Sequence, residues 1–136
     1  MKKLAIVLML FSLLLLASCS NDSDTEDSNH EDMEMDAQPI EATLDLPEKA
    51  EVMETIEAKV TVLHNGEAVE DADEVEFEYW LEGKKGDSEM IMAEHIGEGV
   101  YKVEVSFDAT GTYILQSHVT ALAQHTMPKQ EIEVTD

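Results

Sequence analysis

The sequence predicts an all-β sandwich over residues 39–136, and three features of the chain predict it. Apolar and polar residues alternate with period two over short runs, which is the mark of half-buried strands. Turn residues punctuate those runs about every 8–12 positions, as in sandwiches. No stretch carries the i, i+3, i+4 spacing of an amphipathic helix.

Residues 40–46 form a first strand, stopped by Pro47. Residues 48–53 read as a short helical or irregular crossing. Residues 55–63 are the clearest early strand, with Ile56, Ala58, Val60 and Val62 on one face and Glu57, Lys59 and Thr61 on the other. His64-Asn65-Gly66-Glu67 is a turn, Asn-Gly being a strong local signal. Residues 68–73 are a loop or brief edge segment. Residues 74–82 are the next strand, with Val75, Phe77, Tyr79 and Leu81 inward and Glu76, Glu78 and Trp80 outward. A turn at 83–87 leads to a short edge strand at 89–94, and Gly97-Glu98-Gly99 turns the chain again. Residues 100–107 place Tyr101, Val103, Val105 and Phe107 inward. Residues 112–120 place Tyr113, Leu115, Ser117 and Val119 inward, with Ile114, Gln116, His118 and Thr120 outward. Residues 129–134 close the sheet through Gln130, Ile132 and Val134. The count is about seven strands. Asp108-Ala109-Thr110-Gly111-Thr112-Tyr113 resembles the tyrosine corner of immunoglobulin-like sandwiches. Leu115 then stands where an antibody domain has its second cysteine, with Val60 or Val62 facing it from the other sheet.

The N-terminus has a different texture. Lys2 and Lys3 precede an apolar run from Leu4 to Ala17, broken only by Ser12. A charged start, a short apolar middle and small residues at the end make a secretory signal. Spanning a bilayer takes about 20 apolar residues, so this run is expected to be cleaved rather than kept. Leu16-Ala17-Ser18-Cys19 resembles the bacterial lipobox. That resemblance implies a diacylglyceryl thioether on Cys19, which becomes the first residue of the mature chain. Two acyl chains suffice for a stable hold on the membrane. The expected organisation is therefore a signal peptide at 1–18, a lipidated cysteine and tether at 19–38, and the sandwich at 39–136. The expected location is the extracytoplasmic face of the cell membrane.

Residues 20–36, SNDSDTEDSNHEDMEMD, hold no aliphatic or aromatic residue and are dense in Asp and Glu. Such a segment cannot offset its ordering entropy and is expected to be a solvated, disordered spacer. Its His30, Met33 and Met35 would collect a soft metal only weakly.

Charge narrows the partners. The chain carries −23 and has no arginine, and loss of Lys2 and Lys3 with the signal would deepen the charge further. No basic stripe exists for phosphate contacts, which argues against nucleic acid. Anionic head groups would repel the body, so the membrane link rests on acyl chains. With its one cysteine taken by lipid, the chain has no disulfide and no zinc-thiolate set.

Enzyme signatures are missing. There is no Gly-x-Ser-x-Gly elbow and no His-Glu-x-x-His helix. Ser117 and His118 are adjacent on a strand and so face opposite ways, which forbids a nucleophile–base pair. The residues that stand out are Met90, Met92 and His95, then His118, then His125 and Met127. Imidazole and thioether donors together suit copper, thioether favouring Cu(I). Read structurally, Met90 and Met92 are core filler, His95 a solvated turn residue and His118 a packed sheet residue. In His125-Thr126-Met127-Pro128, a strand entry accounts for the proline but not for two soft donors beside it.

Gly99-Val100-Tyr101, Gly111-Thr112-Tyr113 and His125-Thr126-Met127-Pro128, following the Asn65-Gly66 turn, resemble the YtkA-like domain of small extracytoplasmic bacterial lipoproteins. The resemblance spans about residues 40–135. It implies an immunoglobulin-like sandwich with no established catalytic activity. The domain is similar to FixH-type proteins, which are associated with assembly of copper-containing oxidases. The expectation is thus a lipid-anchored, non-enzymatic binding module with copper as its candidate cofactor. The alternative is an accessory domain that docks on another envelope protein.

Overall fold

The computed structural model describes residues 38–136. Cys19, His30, Met33 and Met35 lie outside the described residues. The strands are β1 (Glu41–Asp45), β2 (Lys49–Glu51), β3 (Ile56–His64), β4 (Glu67–Ala68), β5 (Glu74–Leu81), β6 (Glu89–Met92), β7 (Glu94–Gly97), β8 (Val100–Val105), β9 (Gly111–Ala121), β10 (Gln124–Thr126) and β11 (Lys129–Thr135). Among the described residues the single helical element is a 3-10 turn at Lys85–Asp87.

Two sheets face each other in an immunoglobulin-like β-sandwich. The first runs β1-β3-β8-β7, with β4 also on β3, and the second runs β2-β11-β9-β5-β6, with β10 also on β9. Each pairing is antiparallel except the short β2–β11 contact. The seven predicted strands correspond to β1, β3, β5, β6, β8, β9 and β11. The other strands are two to four residues long and arise from long-range pairing that local periodicity does not encode. One of them corrects the crossing expected at 48–53: Lys49–Glu51 is a strand on the β11 edge.

Alternation decides the core. Ile56, Ala58, Val60 and Val62 from β3 and Tyr101, Val103 and Val105 from β8 are buried against Val75, Phe77, Leu115, Val119, Ile132 and Val134 of the other sheet. Burying apolar area at about 25 cal/mol per Å² is the main force holding the two layers together. Tyr113 lays its ring against Phe107, with centroids 4.4 Å apart. The hydroxyl that ties a loop to the sheet belongs to Tyr101: it accepts from the Ala72 amide (3.0 Å) and donates to the Val69 carbonyl (2.9 Å).

Two further expectations change. The edge strand at 89–94 divides, because the chain changes sheets at Ala93. β6 pairs with β5, whereas β7 pairs with β8. The Ala93 amide donates to the Val75 carbonyl (2.9 Å) at the crossing point. Glu78 and Trp80 do face outward, yet both are buried. The segment after β5 folds back over them: Lys85 Nζ sits 4.7 Å over the Trp80 ring, and Ser88 bonds to Glu78.

Tyr79 closes one end of the sandwich edge-on to Phe107, with centroids 5.7 Å apart, and donates its hydroxyl to Glu89. Burial, then the Glu89 hydrogen bond, pushes its pKa up to about 12. The folded chain therefore favours the neutral phenol, and that stabilisation is complete below the ordinary phenol pKa of about 10. It is lost as pH rises from there through about 12. The stability difference between wild type and Tyr79→Phe, read from urea midpoints, should shrink across that window. A tyrosinate absorbance titration should show a component at about 12 that Tyr79→Phe removes. An unchanged difference would show that the phenol is not held by burial.

Candidate functional site

Among the described residues, the outer face of the second sheet gathers most of the imidazole and thioether groups. β9 is its spine. Its inward residues Leu115, Ser117 and Val119 are buried at 0% exposure, which sets Gln116, His118 and Thr120 on the opposite face. The chain then reverses at Leu122 and Ala123, both at positive φ (51° and 59°). Ala121 pairs with Gln124 across this two-residue turn, and His125 falls opposite Thr120. Positive φ at both central positions is the geometry that matches the twist of a hairpin. Neither residue is the Asn or Gly that usually accepts it, so the turn stores strain.

The register stays constant from β10 into β11, since Thr126 faces Val119 and Lys129 faces Gln116. Met127 is thereby placed opposite His118, and Pro128 opposite Ser117. The Ser117 amide donates to the Pro128 carbonyl at 2.9 Å. Pro128 has no N–H to return, which is why the ladder divides into two strands there. On the other side of β9, His118 faces Glu76 of β5, and Glu76 faces Met92 of β6. One row of the sheet therefore reads Met127, His118, Glu76, Met92. Directly opposed side chains in such rows have Cβ atoms about 5 Å apart. The row beside it holds Gln116, Glu78 and Met90.

Side-chain contacts knit the rows. The His118 and His125 rings lie 6.1 Å apart, centre to centre. His125 Nδ1 is 2.8 Å from Thr120 Oγ1, and His118 Nε2 is 2.9 Å from Glu78 Oε2. Ser88 Oγ donates to Glu78 Oε1 at 2.6 Å. That bond, opposed by burial and helped by His118 and Lys85, holds the Glu78 carboxyl below the usual range. Gln116 Nε2 donates to the Met127 carbonyl (3.3 Å) and braces the arm that carries the thioether.

Of the candidates read from the sequence, His118, His125, Met127, Met90 and Met92 all come to this face. His95 does not. It sits on β7 in the other sheet, tilted on the Tyr101 ring at 4.7 Å with Nε2 2.7 Å from Glu70. The core-filler reading of the methionines also falls, because Met90 and Met92 are 49% and 62% exposed. Glu78, Ser88 and Thr120 are the residues that sequence reasoning missed. The period-two pattern places Glu78 beside His118 only once β5 is known to neighbour β9.

Among the described residues no three His, Cys, Asp or Glu side chains are arranged to hold a metal ion. Met127, opposite His118 in the register, adds a thioether residue beside the two imidazoles. Two imidazoles and a thioether fit a soft ion better than a hard one. A cleft of about 490 Å³ at one end of the sandwich, lined by Tyr79, Trp80, Phe107 and Tyr113 among others, holds none of these donors.

The YtkA-like family model matches residues 34–118. The chain belongs to the YtkA-like family. The matched span ends at His118, so the YtkA-like region supplies β9 as far as its outward histidine, and the returning arm with His125 and Met127 lies beyond it. No curated protein matches the chain. Among solved structures, an engineered protein has a TM-score of 0.55 at 13% identity, over 71% of this chain and 20% of that one. The chain spans only about a fifth of that protein's length. Superoxide reductase (neelaredoxin) from Ignicoccus hospitalis has a TM-score of 0.50 at 16% identity, over 81% of this chain and 93% of that one. A putative superoxide reductase from Thermotoga maritima has a TM-score of 0.51 at 16% identity, covering 70% and 86%. At these identities the likeness is one of fold.

Proposed function

We propose that this YtkA-like chain is a lipid-anchored, extracytoplasmic, non-enzymatic module that holds copper on the outer face of its second sheet. His118, His125 and Met127 bind the ion, and Met92 and Met90 extend the thioether surface beside it. The observation that supports this most is the unbroken β9–β10–β11 register. It brings a thioether opposite one imidazole, with a second imidazole ring 6.1 Å from the first. A metal ion sits about 2 Å from an imidazole nitrogen, so one ion can reach both rings. Lipidation at Cys19 would tie the module to the membrane.

Competition titration of Cu(I) against a chromogenic chelator, under reducing conditions and with the full chain in detergent, tests the reading. One ion per chain is expected. His118→Ala and the double variant His125→Ala, Met127→Ala should each lose at least about tenfold in affinity, or about 1.4 kcal/mol. Wild-type affinity in the double variant would end the copper reading.

A second reading rests on a different observation. β6 is an edge of the second sheet and exposes Met90 and Met92 there. An accessory domain could use that edge to dock on an envelope protein, and methionine suits adaptable protein surfaces. Met90→Ala, Met92→Ala would then abolish partner capture while leaving Cu(I) uptake absent in wild type and variant alike.

A further inference from the structure

We propose that Glu78 decides which nitrogen of His118 is offered to the metal ion and is itself kept out of the ligand set. The inference rests on the copper reading of the same site and goes further by assigning the residues that position its histidine. An ionised carboxylate has acceptors only. The Glu78 Oε2 contact at 2.9 Å therefore requires His118 Nε2 to carry the proton. In a neutral imidazole the free lone pair is then on Nδ1. Metal-bound histidines commonly donate their other N–H to a carboxylate, which fixes ring orientation and raises ligand basicity.

The second oxygen is occupied too. Ser88 Oγ donates to Glu78 Oε1 at 2.6 Å, and Ser88 is delivered by the segment that folds back after the 3-10 turn at Lys85–Asp87. With both oxygens engaged, the carboxylate is held toward its hydrogen-bond partners. The Glu78 oxygens are thereby withheld from a set whose other members are imidazole and thioether. That arrangement favours Cu(I) over Mg²⁺, Ca²⁺ or Mn²⁺, which take oxygen ligands. His125 is less committed, because its partner Thr120 Oγ1 can donate or accept at the same 2.8 Å contact.

Nitrogen-15 NMR of the histidine side chains in the full chain tests this before any metal is added. At a pH where His118 is neutral, its proton should be on Nε2. Finding it on Nδ1 would overturn the proposal. With Ag(I) as an air-stable stand-in for Cu(I), the His118 Nδ1 resonance should shift while Nε2 keeps its proton; the metal on Nε2 would also overturn it. Glu78→Ala should weaken Cu(I) binding by about 10–100-fold, and Ser88→Ala should weaken it less, with the fold checked by circular dichroism. Undiminished affinity in Glu78→Ala would remove its role. A wild-type chain that takes up no Cu(I) would instead end the copper reading, and the metal-free tautomer would still report on Glu78.

Discussion

Replacing Phe77 with alanine is expected to cost about 3–5 kcal/mol of folding stability. Phe77 is fully buried on β5, which lies between β9 and β6 in the second sheet. Its ring is one of the two largest fully buried side chains, with Phe107, and both belong to the single core cluster that joins the sheets. Truncation removes the transfer free energy of the ring and leaves a cavity that β-sheet neighbours on both sides cannot close. No disulfide offsets the loss, because the chain has one cysteine. Domains of this size have only about 5–15 kcal/mol in total, so the variant should lose a large part of its urea midpoint with little change in slope. Met92→Ala is the matched control. At 62% exposure on the outer face it should change stability by no more than about 0.5 kcal/mol. If the two variants lost similar amounts, the assignment of inner and outer faces would be wrong.

Gly99→Ala should cost about 3–4 kcal/mol, against about 1 kcal/mol for Gly66→Ala. Both glycines have positive φ, +71° and +78°, so the backbone strain of adding a side chain is shared. The surroundings differ. A Cβ on Gly99 would stand 2.6 Å from the Val62 carbonyl oxygen and 3.1 Å from the Ala68 Cβ, whereas nothing lies within 4 Å of one on Gly66. That carbonyl accepts from the Val69 amide (2.9 Å), and the Gly99 carbonyl accepts from the Val62 amide (2.8 Å). The clash therefore falls on a backbone junction of β3, β4 and the turn before β8, where no side chain can rotate away. Thermal or urea unfolding of the two variants measures the difference directly. Equal losses would mean that φ strain alone governs both turns.

Some of the hairpin chemistry was legible because residue type announces it. Asn65 and Gly66 take φ of 52° and 78° and join His64 to Glu67 as a two-residue turn, as the Asn-Gly pair predicts. The second such turn has no signal of this kind. Leu122 and Ala123 adopt the same region against their own preference, so the hairpin that returns His125 to Thr120 was not predictable from local sequence. Long-range pairing in the sheet holds the turn there. The switch of sheets at Ala93 was hidden for a similar reason. His95 and Met92 are near in sequence, yet they pair with β8 in one sheet and β5 in the other. No periodicity marks the change.

Alternation by itself determined which side of each strand a residue occupies. That was enough for the sandwich, for the buried faces of β3, β8 and β9, and for the outward placement of His118. The reason is local: successive side chains on a strand point to opposite faces, and water sorts them. Only the tertiary structure decided which strands are neighbours and in what register. It set Met127 and Glu76 on either side of His118, gave His118 the Glu78 carboxylate, and left His95 in the other sheet. Those relations depend on hydrogen bonds between residues far apart in the chain, and their registers are settled by the packing of the whole core.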